Sequence, residues 1–174
     1  MYPYIKLAAT LVKARYRSKL DLEDAGILNC RVGLTDTDPF LELNHARQIS
    51  YMELGRWDYC YRVGLIKLMK QNSWGVTVGG ISMRYRRRVP LFASFTLSTR
   101  PVCHDSRWFY FLQEIKRDNQ ICSSALIKAG LVSKSRLVSS LEALEIAGRS
   151  DWGHDVPEWV SAWISAEGQR PWSE

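Results

Sequence analysis

The sequence predicts one α+β domain in which a five-stranded antiparallel sheet wraps a long central helix, with further helices at both ends. Three observations predict it. Leu28 to Leu34 alternates, with Leu28, Cys30, Val32 and Leu34 on one face, which is the period-2 signature of a half-buried strand. After Asn44, the apolar residues Ile49, Met52, Tyr59, Val63 and Ile66 recur at spacings that place them along one side of a helix. Four extended runs follow, and their short polar or Pro-containing separators suit antiparallel hairpins. A long helix with a single sheet to cover it is wrapped by that sheet, which leaves the sheet edges for a second copy.

In chain order, residues 1–26 are read as an N-terminal helical extension. Tyr4, Leu7, Ala8 and Leu11 fall at helical spacing, with Lys6, Lys13, Arg15, Arg17 and Lys19 between and after them. This basic amphipathic helix is expected to pack on the domain as a leader, with peripheral contact to a membrane surface or partner as the alternative. Residues 27–136 are the sheet-and-helix domain. Its first strand stops at Asp36-Thr37-Asp38-Pro39, where Asp favours turns and Pro restricts its predecessor. Asn44 then caps the central helix, which Gly64 ends or kinks. The extended runs span Trp74 to Val89, Leu91 to Cys103, Arg107 to Arg117 and Gln120 to Val132, and a meander is their natural outcome. Val76 and Val78 share one parity, and Ile81, Met83 and Tyr85 the other, so a bulge is expected at Gly79-Gly80. Residues 137–174 are a C-terminal extension with helices near Leu137 to Ala147 and Pro157 to Ala166.

The composition narrows the function without choosing it. The chain has 174 residues and seven Trp, enough for one ordinary core. Its formal charge of +6 favours anionic partners. Cys30, Cys60, Cys103 and Cys122 form no C-x-x-C pair and are read as reduced and structural. Neither a signal peptide nor an apolar run long enough to span a membrane is expected, and the chain is read as cytoplasmic. Three His, at positions 45, 104 and 154, show no ligand spacing, so no metal and no separate cofactor is expected. There is no G-x-S-x-G elbow and no G-x-x-x-x-G-K loop, which sets aside Ser-His-Asp hydrolysis and nucleotide hydrolysis.

Asp36-Thr37-Asp38-Pro39, Asn44-His45-Ala46-Arg47, Tyr51 to Asp58 and Arg62-Val63-Gly64-Leu65 together resemble the signature of hotdog-fold acyl-CoA thioesterases of the 4-hydroxybenzoyl-CoA thioesterase type. Within that family they look most similar to the thioesterase superfamily member 6 subgroup. The resemblance implies hydrolysis of an acyl-CoA by a homodimer or homotetramer whose sites lie between subunits. It implies that Asp38 is nucleophile or general base, with Asp36 less critical, and that the His45 backbone N–H polarises the thioester carbonyl. A helix N-terminus independently suits that task, because its first N–H groups lack intrahelical acceptors and carry positive partial charge.

Other residues keep two readings. Taken alone, Asp-x-Asp-Pro is ordinary turn chemistry. Asn44 is a cap that can also contact substrate. Glu53 and Arg56 are spaced for an intrahelical ion pair, while relatives with a catalytic acid on this helix make Glu53 a secondary candidate. Arg84, Arg86 and Arg88 would share one side of a strand, either as a solvated face or to hold the phosphates of coenzyme A. No nucleic-acid-binding motif accompanies them, so nucleic acid is not the expected partner. The rival to catalysis is a non-catalytic acyl-CoA or lipid-binding module. A hotdog hydratase would need an Asp/His acid–base pair, and none is found.

Overall fold

The structure, a computed structural model, describes residues 3–134, 136–153 and 155–171. The central helix α2 (His45–Arg62) begins at Asn44, whose side-chain oxygen accepts from the Ala46 N–H at 2.9 Å. It ends where Gly64 takes the left-handed φ of 83°, and α3 (Leu65–Asn72) starts afresh. Its buried side is more polar than the apolar spacing suggests. Gln48, Tyr51, Met52, Gly55, Asp58, Tyr59 and Arg62 face inward, while Ile49 and Ile66 are only half-buried. Arg62 is held there by Asp58 at 3.4 Å and by the Ser18 carbonyl at 2.8 Å, so its charge is not left unpaired.

The sheet follows the order β1-β3-β4-β5-β2, all antiparallel, from β1 (Gly26–Arg31), β2 (Gly75–Tyr85), β3 (Ser94–His104), β4 (Phe109–Arg117) and β5 (Gln120–Ser133). A short β6 (Arg136–Val138), not anticipated from the sequence, pairs with the end of β5. Only β3, β4 and β5 form a meander. β2 lies beside β5 instead, because residues 86–93 are not a tight turn: they cross the end of the sheet, with Arg86 and Arg87 donating to the Cys122 carbonyl and Leu43 donating to Val89 at 2.8 Å. That pairing takes Val89 and Pro90 out of any strand ladder of β2, so β2 ends at Tyr85. The register shift between Val78 and Gly80 leaves Gly79 unpaired, which is the expected bulge.

The first strand is also shorter than its alternation. β1 stops at Arg31, and Leu34 enters a 3₁₀ turn with 68% exposure, because the Asp36 carboxylate accepts the Gly33 N–H at 3.1 Å and curls the chain. α2 packs into the sheet through Met52, Tyr59, Leu97, Ile115 and Ile127. This is the hotdog arrangement. The opposite face of the sheet is covered by α5 (Glu158–Gln169), whose Val160 and Trp163 pack with Cys103, Tyr110 and Leu126. α4 (Ser140–Ile146) packs against the end of β5. α1 (Tyr4–Arg15) lies parallel to α2, tied by Lys6 to Tyr51 at 3.0 Å near its start and by Arg17 to Asp58 at 3.0 Å just past its end.

Candidate active site

Several features meet at the N-terminal end of α2. Asn44 uses its side chain on Ala46, which leaves the His45 and Arg47 N–H groups in the first turn without intrahelical acceptors. His45 itself is exposed, so its ring contributes nothing to the packing. Just before it, residues 37–43 fold back on themselves through a bridge between Thr37 and Leu43. Asp38 is half-buried in that turn, with Oδ1 accepting from Phe40 N at 2.9 Å and Glu42 N at 3.4 Å. The turn closes with Leu41 at the left-handed φ of 57°, a conformation that costs a side-chain-bearing residue about 1–2 kcal/mol. Phe40 and Leu41 are 82% and 59% exposed at its tip.

Asp36, only two residues away, has a different environment. It is 3% exposed, and its carboxylate accepts from Lys6 Nζ at 2.6 and 2.7 Å and lies 2.7 Å from the Tyr51 hydroxyl. Burial pushes this carboxyl up, but the Lys6 ammonium, the Tyr51 hydroxyl and the Gly33 N–H outweigh burial and hold it below the ordinary carboxylate range. Burial and the adjacent Asp36 charge keep Tyr51 protonated far above its ordinary range. Asp36 is therefore a saturated structural anchor, and Asp38 is the less encumbered of the two acids.

The arginine run reaches the same end of the molecule. Arg84 is the penultimate residue of β2, whereas Arg86 and Arg88 lie beyond the strand and do not share its alternation; all three are exposed. Residues 89–91, directly after the run, pair with residues 41–43, directly before α2. The fold thus joins the Asp38 turn, the open first turn of α2 and the arginines within one end of the sheet.

Glu53 is elsewhere. It lies about 12 Å further along α2 from His45 at an ordinary helical rise. With Arg56 it lines an apolar cavity of about 370 Å³ whose walls include Trp57, Val78, Phe109, Leu131 and Leu144 of α4. Asp38, Asn44 and His45 do not line this cavity. Arg56 donates to Gln113 Oε1 at 2.6 Å, and Gln113, fully buried in β4, donates in turn to the Met52 carbonyl at 2.8 Å and Thr99 Oγ1 at 2.7 Å.

Sequence reasoning missed Lys6, Tyr51, Gln48 and Gln113. Gln48 had a visible signal: it falls one turn before Tyr51 and Met52 on the buried side of α2. Its Nε2 donates to the Leu43 carbonyl at 3.2 Å, while its buried Oε1 has no hydrogen-bond partner among the described residues. Lys6 and Gln113 gave no local signal, since Lys6 finds Asp36 30 residues away and Gln113 finds Thr99 and Met52 14 and 61 residues away. The four cysteines are free, and burial pushes the Cys30 and Cys60 thiols up to about 12, which makes them poor nucleophiles. His154 lies outside the described residues.

Comparison with known proteins agrees with this architecture. Protein THEM6 of Danio rerio is 28% identical over 147 residues, spanning 82% of this chain and 72% of its own length. The crystal structure of YbaW, a probable thioesterase from Escherichia coli, superposes with a TM-score of 0.66 at 19% identity, covering 71% of this chain and 96% of that one. DHNA-CoA thioesterase from Staphylococcus aureus superposes with a TM-score of 0.64 at 13% identity, covering 84% of this chain and 97% of that one. Both structures share the hotdog fold. Residues 32–164 match the family model described as the thioesterase-like superfamily, a span that runs from the end of β1 into α5, and the chain is a member of that family.

Proposed function

We propose that this protein hydrolyses an acyl-CoA thioester to a free carboxylic acid and coenzyme A. One observation carries the reading: a carboxylate, a helix N-terminus with open N–H groups and a cluster of exposed arginines occur together at one end of the sheet. In the reaction, the carbonyl oxygen accepts from the His45 N–H, where helix polarity stabilises the charge that develops on it. Asp38 either removes a proton from the attacking water or attacks the carbonyl itself to give a mixed anhydride that water then cleaves. In both routes the C–S bond breaks, water supplies the new C–O bond, and the departing thiolate ends protonated. Asn44 borders the carbonyl, and Arg84, Arg86 and Arg88 receive the coenzyme A phosphates.

The working unit in this reading is a homodimer, or a tetramer built from it. β2 is an edge strand, and Val76, Val78 and Ile81 are 46%, 45% and 36% exposed along it. An uncovered apolar edge of this kind invites pairing with a second copy. Four unpaired cysteines suit a reducing compartment and fit action in the cytoplasm.

A second reading is favoured by the turn geometry. Asp38 Oδ1 already accepts two backbone N–H groups, as in a purely structural turn, and a chain that binds acyl-CoA without turning it over would look the same. Thiol release from short, long and aromatic acyl-CoAs by wild type and Asp38→Asn, with molecular mass measured in parallel, separates the two. Hydrolysis predicts saturable turnover that falls at least roughly a hundredfold in a folded, dimeric Asp38→Asn protein. Binding of acyl-CoA with no turnover across the panel, or turnover untouched by the substitution, sinks the catalytic assignment.

A further inference from the structure

α1 is buried on one face and apolar on the other. Thr10 and Ala14 are buried against the body of the protein, and the two inward-reaching cations of this region, Lys6 and Arg17, are paired with the buried carboxylates of Asp36 and Asp58. These ties fix which face looks out. On that outer face Ile5, Val12 and Tyr16 are 87%, 60% and 82% exposed, and their spacing of seven and four residues aligns them in one stripe. Lys13 and Arg15 are exposed on either side of the stripe, Lys19 is exposed beyond it, and no acidic residue precedes Asp21. Lys13 also borders a groove lined by Arg31, Lys116, Arg117 and Asp118, where Lys116 and Arg117 are ion-paired with Glu114 and Asp118, so the free positive margin is that of α1 itself.

A single exposed apolar side chain on a soluble protein is unremarkable, whereas an aligned stripe on a helix held by two ion pairs is a surface built to meet something. Its charge decides what. A symmetric contact with a second copy would bring rows of Lys13 and Arg15 together, with no carboxylate on the helix to offset them. An anionic lipid surface satisfies both features at once, since the acyl boundary accepts the apolar stripe and the phosphates meet the flanking cations.

We propose that α1 docks in the plane of an anionic membrane surface, with Ile5, Val12 and Tyr16 entering the headgroup boundary and Lys13, Arg15 and Lys19 contacting lipid phosphates. No described helix is long and apolar enough to cross a bilayer, so this is contact and not insertion. The Lys6 link to Asp36 sets the start of α1 beside the N-terminal end of α2, so docking holds that end of the molecule near the lipid.

The test is co-sedimentation of the full chain with phosphatidylcholine vesicles and with vesicles containing phosphatidylserine. Wild type is expected to sediment with the anionic vesicles, to be released by added salt, and to bind neutral vesicles weakly. Ile5→Asp/Val12→Asp is expected to lower the partition coefficient by roughly tenfold or more at an unchanged thermal midpoint. If that variant is unstable, Lys13→Ala/Arg15→Ala carries the test, with binding falling only on anionic vesicles. Wild type that remains in the supernatant with both vesicles, equal binding to both, or undiminished binding by the folded variants overturns the proposal. It is likewise overturned if Ile5→Asp/Val12→Asp reduces the molecular mass of the lipid-free protein, since the face would then join copies of the chain.

Discussion

Asp36 and Asp38 show how two identical side chains separated by one residue acquire different work. Asp36 sits where the chain curls away from β1, and Lys6, Tyr51 and Gly33 converge on it, so its charge is held and its lone pairs are spent. Asp38 sits one turn later, half-buried, with one oxygen in backbone hydrogen bonds. The consequence for Asp36 is a pH-dependent stability. A carboxyl depressed in the folded state contributes fully above its unfolded value, about 3.9, and that contribution disappears as pH falls through the folded value. Asp36→Asn is therefore expected to lose about 2 kcal/mol near neutral pH, because Lys6 and Tyr51 keep their positions but lose the charge between them. Urea unfolding of both proteins across pH checks this: the gap between them should hold from about pH 5 upward and close below about pH 4. A gap independent of pH would mean that packing, not charge, is what Asp36 supplies.

At the scale of elements, α2 is both the core and the scaffold of the site, and at Gly55 it packs against β3 with no room for a side chain. A Cβ added there would stand 2.6 Å from Leu97 Cδ2 and 2.8 Å from Thr99 Oγ1. Neither neighbour can retreat, since both are fully buried and Thr99 is held by Gln113. Gly55→Ala gains about 1 kcal/mol of helix propensity but forces an overpacked contact costing about 1–3 kcal/mol, so net destabilisation is expected in chemical denaturation. An increase in stability would show that α2 can shift away from the sheet. The elements themselves were legible where the pattern is local: the Asn44 cap, the Gly64 stop, the Gly79 bulge and the three hairpin-linked strands all follow from residue types at short range. The ends of β1 and β2, the crossing of residues 86–93 and the inward-facing Asp58 and Arg62 were not, because each depends on a partner distant in sequence. The candidate site divides the same way. Motif resemblance pointed to Asp38 and His45, while Lys6, Tyr51 and Gln113 became visible only once the chain had folded.

Across the whole molecule, charge is gathered where the proposed chemistry needs it. The ends of β1, β2 and β4 and the start of β5 meet at the N-terminal end of α2, and they bring Arg31, Arg84, Arg86, Arg88, Lys116 and Arg117 to that end of the sheet. Glu114 and Asp118 neutralise Lys116 and Arg117 through ion pairs at 2.7 and 3.2 Å, but Arg86 and Arg88 are exposed beside the turn that carries Asp38. Exposed cations act on a nucleotide's phosphates over roughly 8 Å at physiological salt, so their effect is on capture and not on the bond-breaking step. Arg86→Ala/Arg88→Ala should accordingly raise KM for an acyl-CoA by roughly three- to tenfold while kcat stays near wild type, because the lost binding is common to ground and transition states. Added salt should raise the wild-type KM and change the variant's less. The acyl-pantetheine thioester, which carries the same reacting carbonyl without the nucleotide phosphates, supplies the control: its kinetics should be the same for both proteins. If the variant loses as much activity on that short thioester as on the acyl-CoA, the arginines are holding the 86–93 crossing and the turn beside it in place, and coenzyme A is recognised elsewhere.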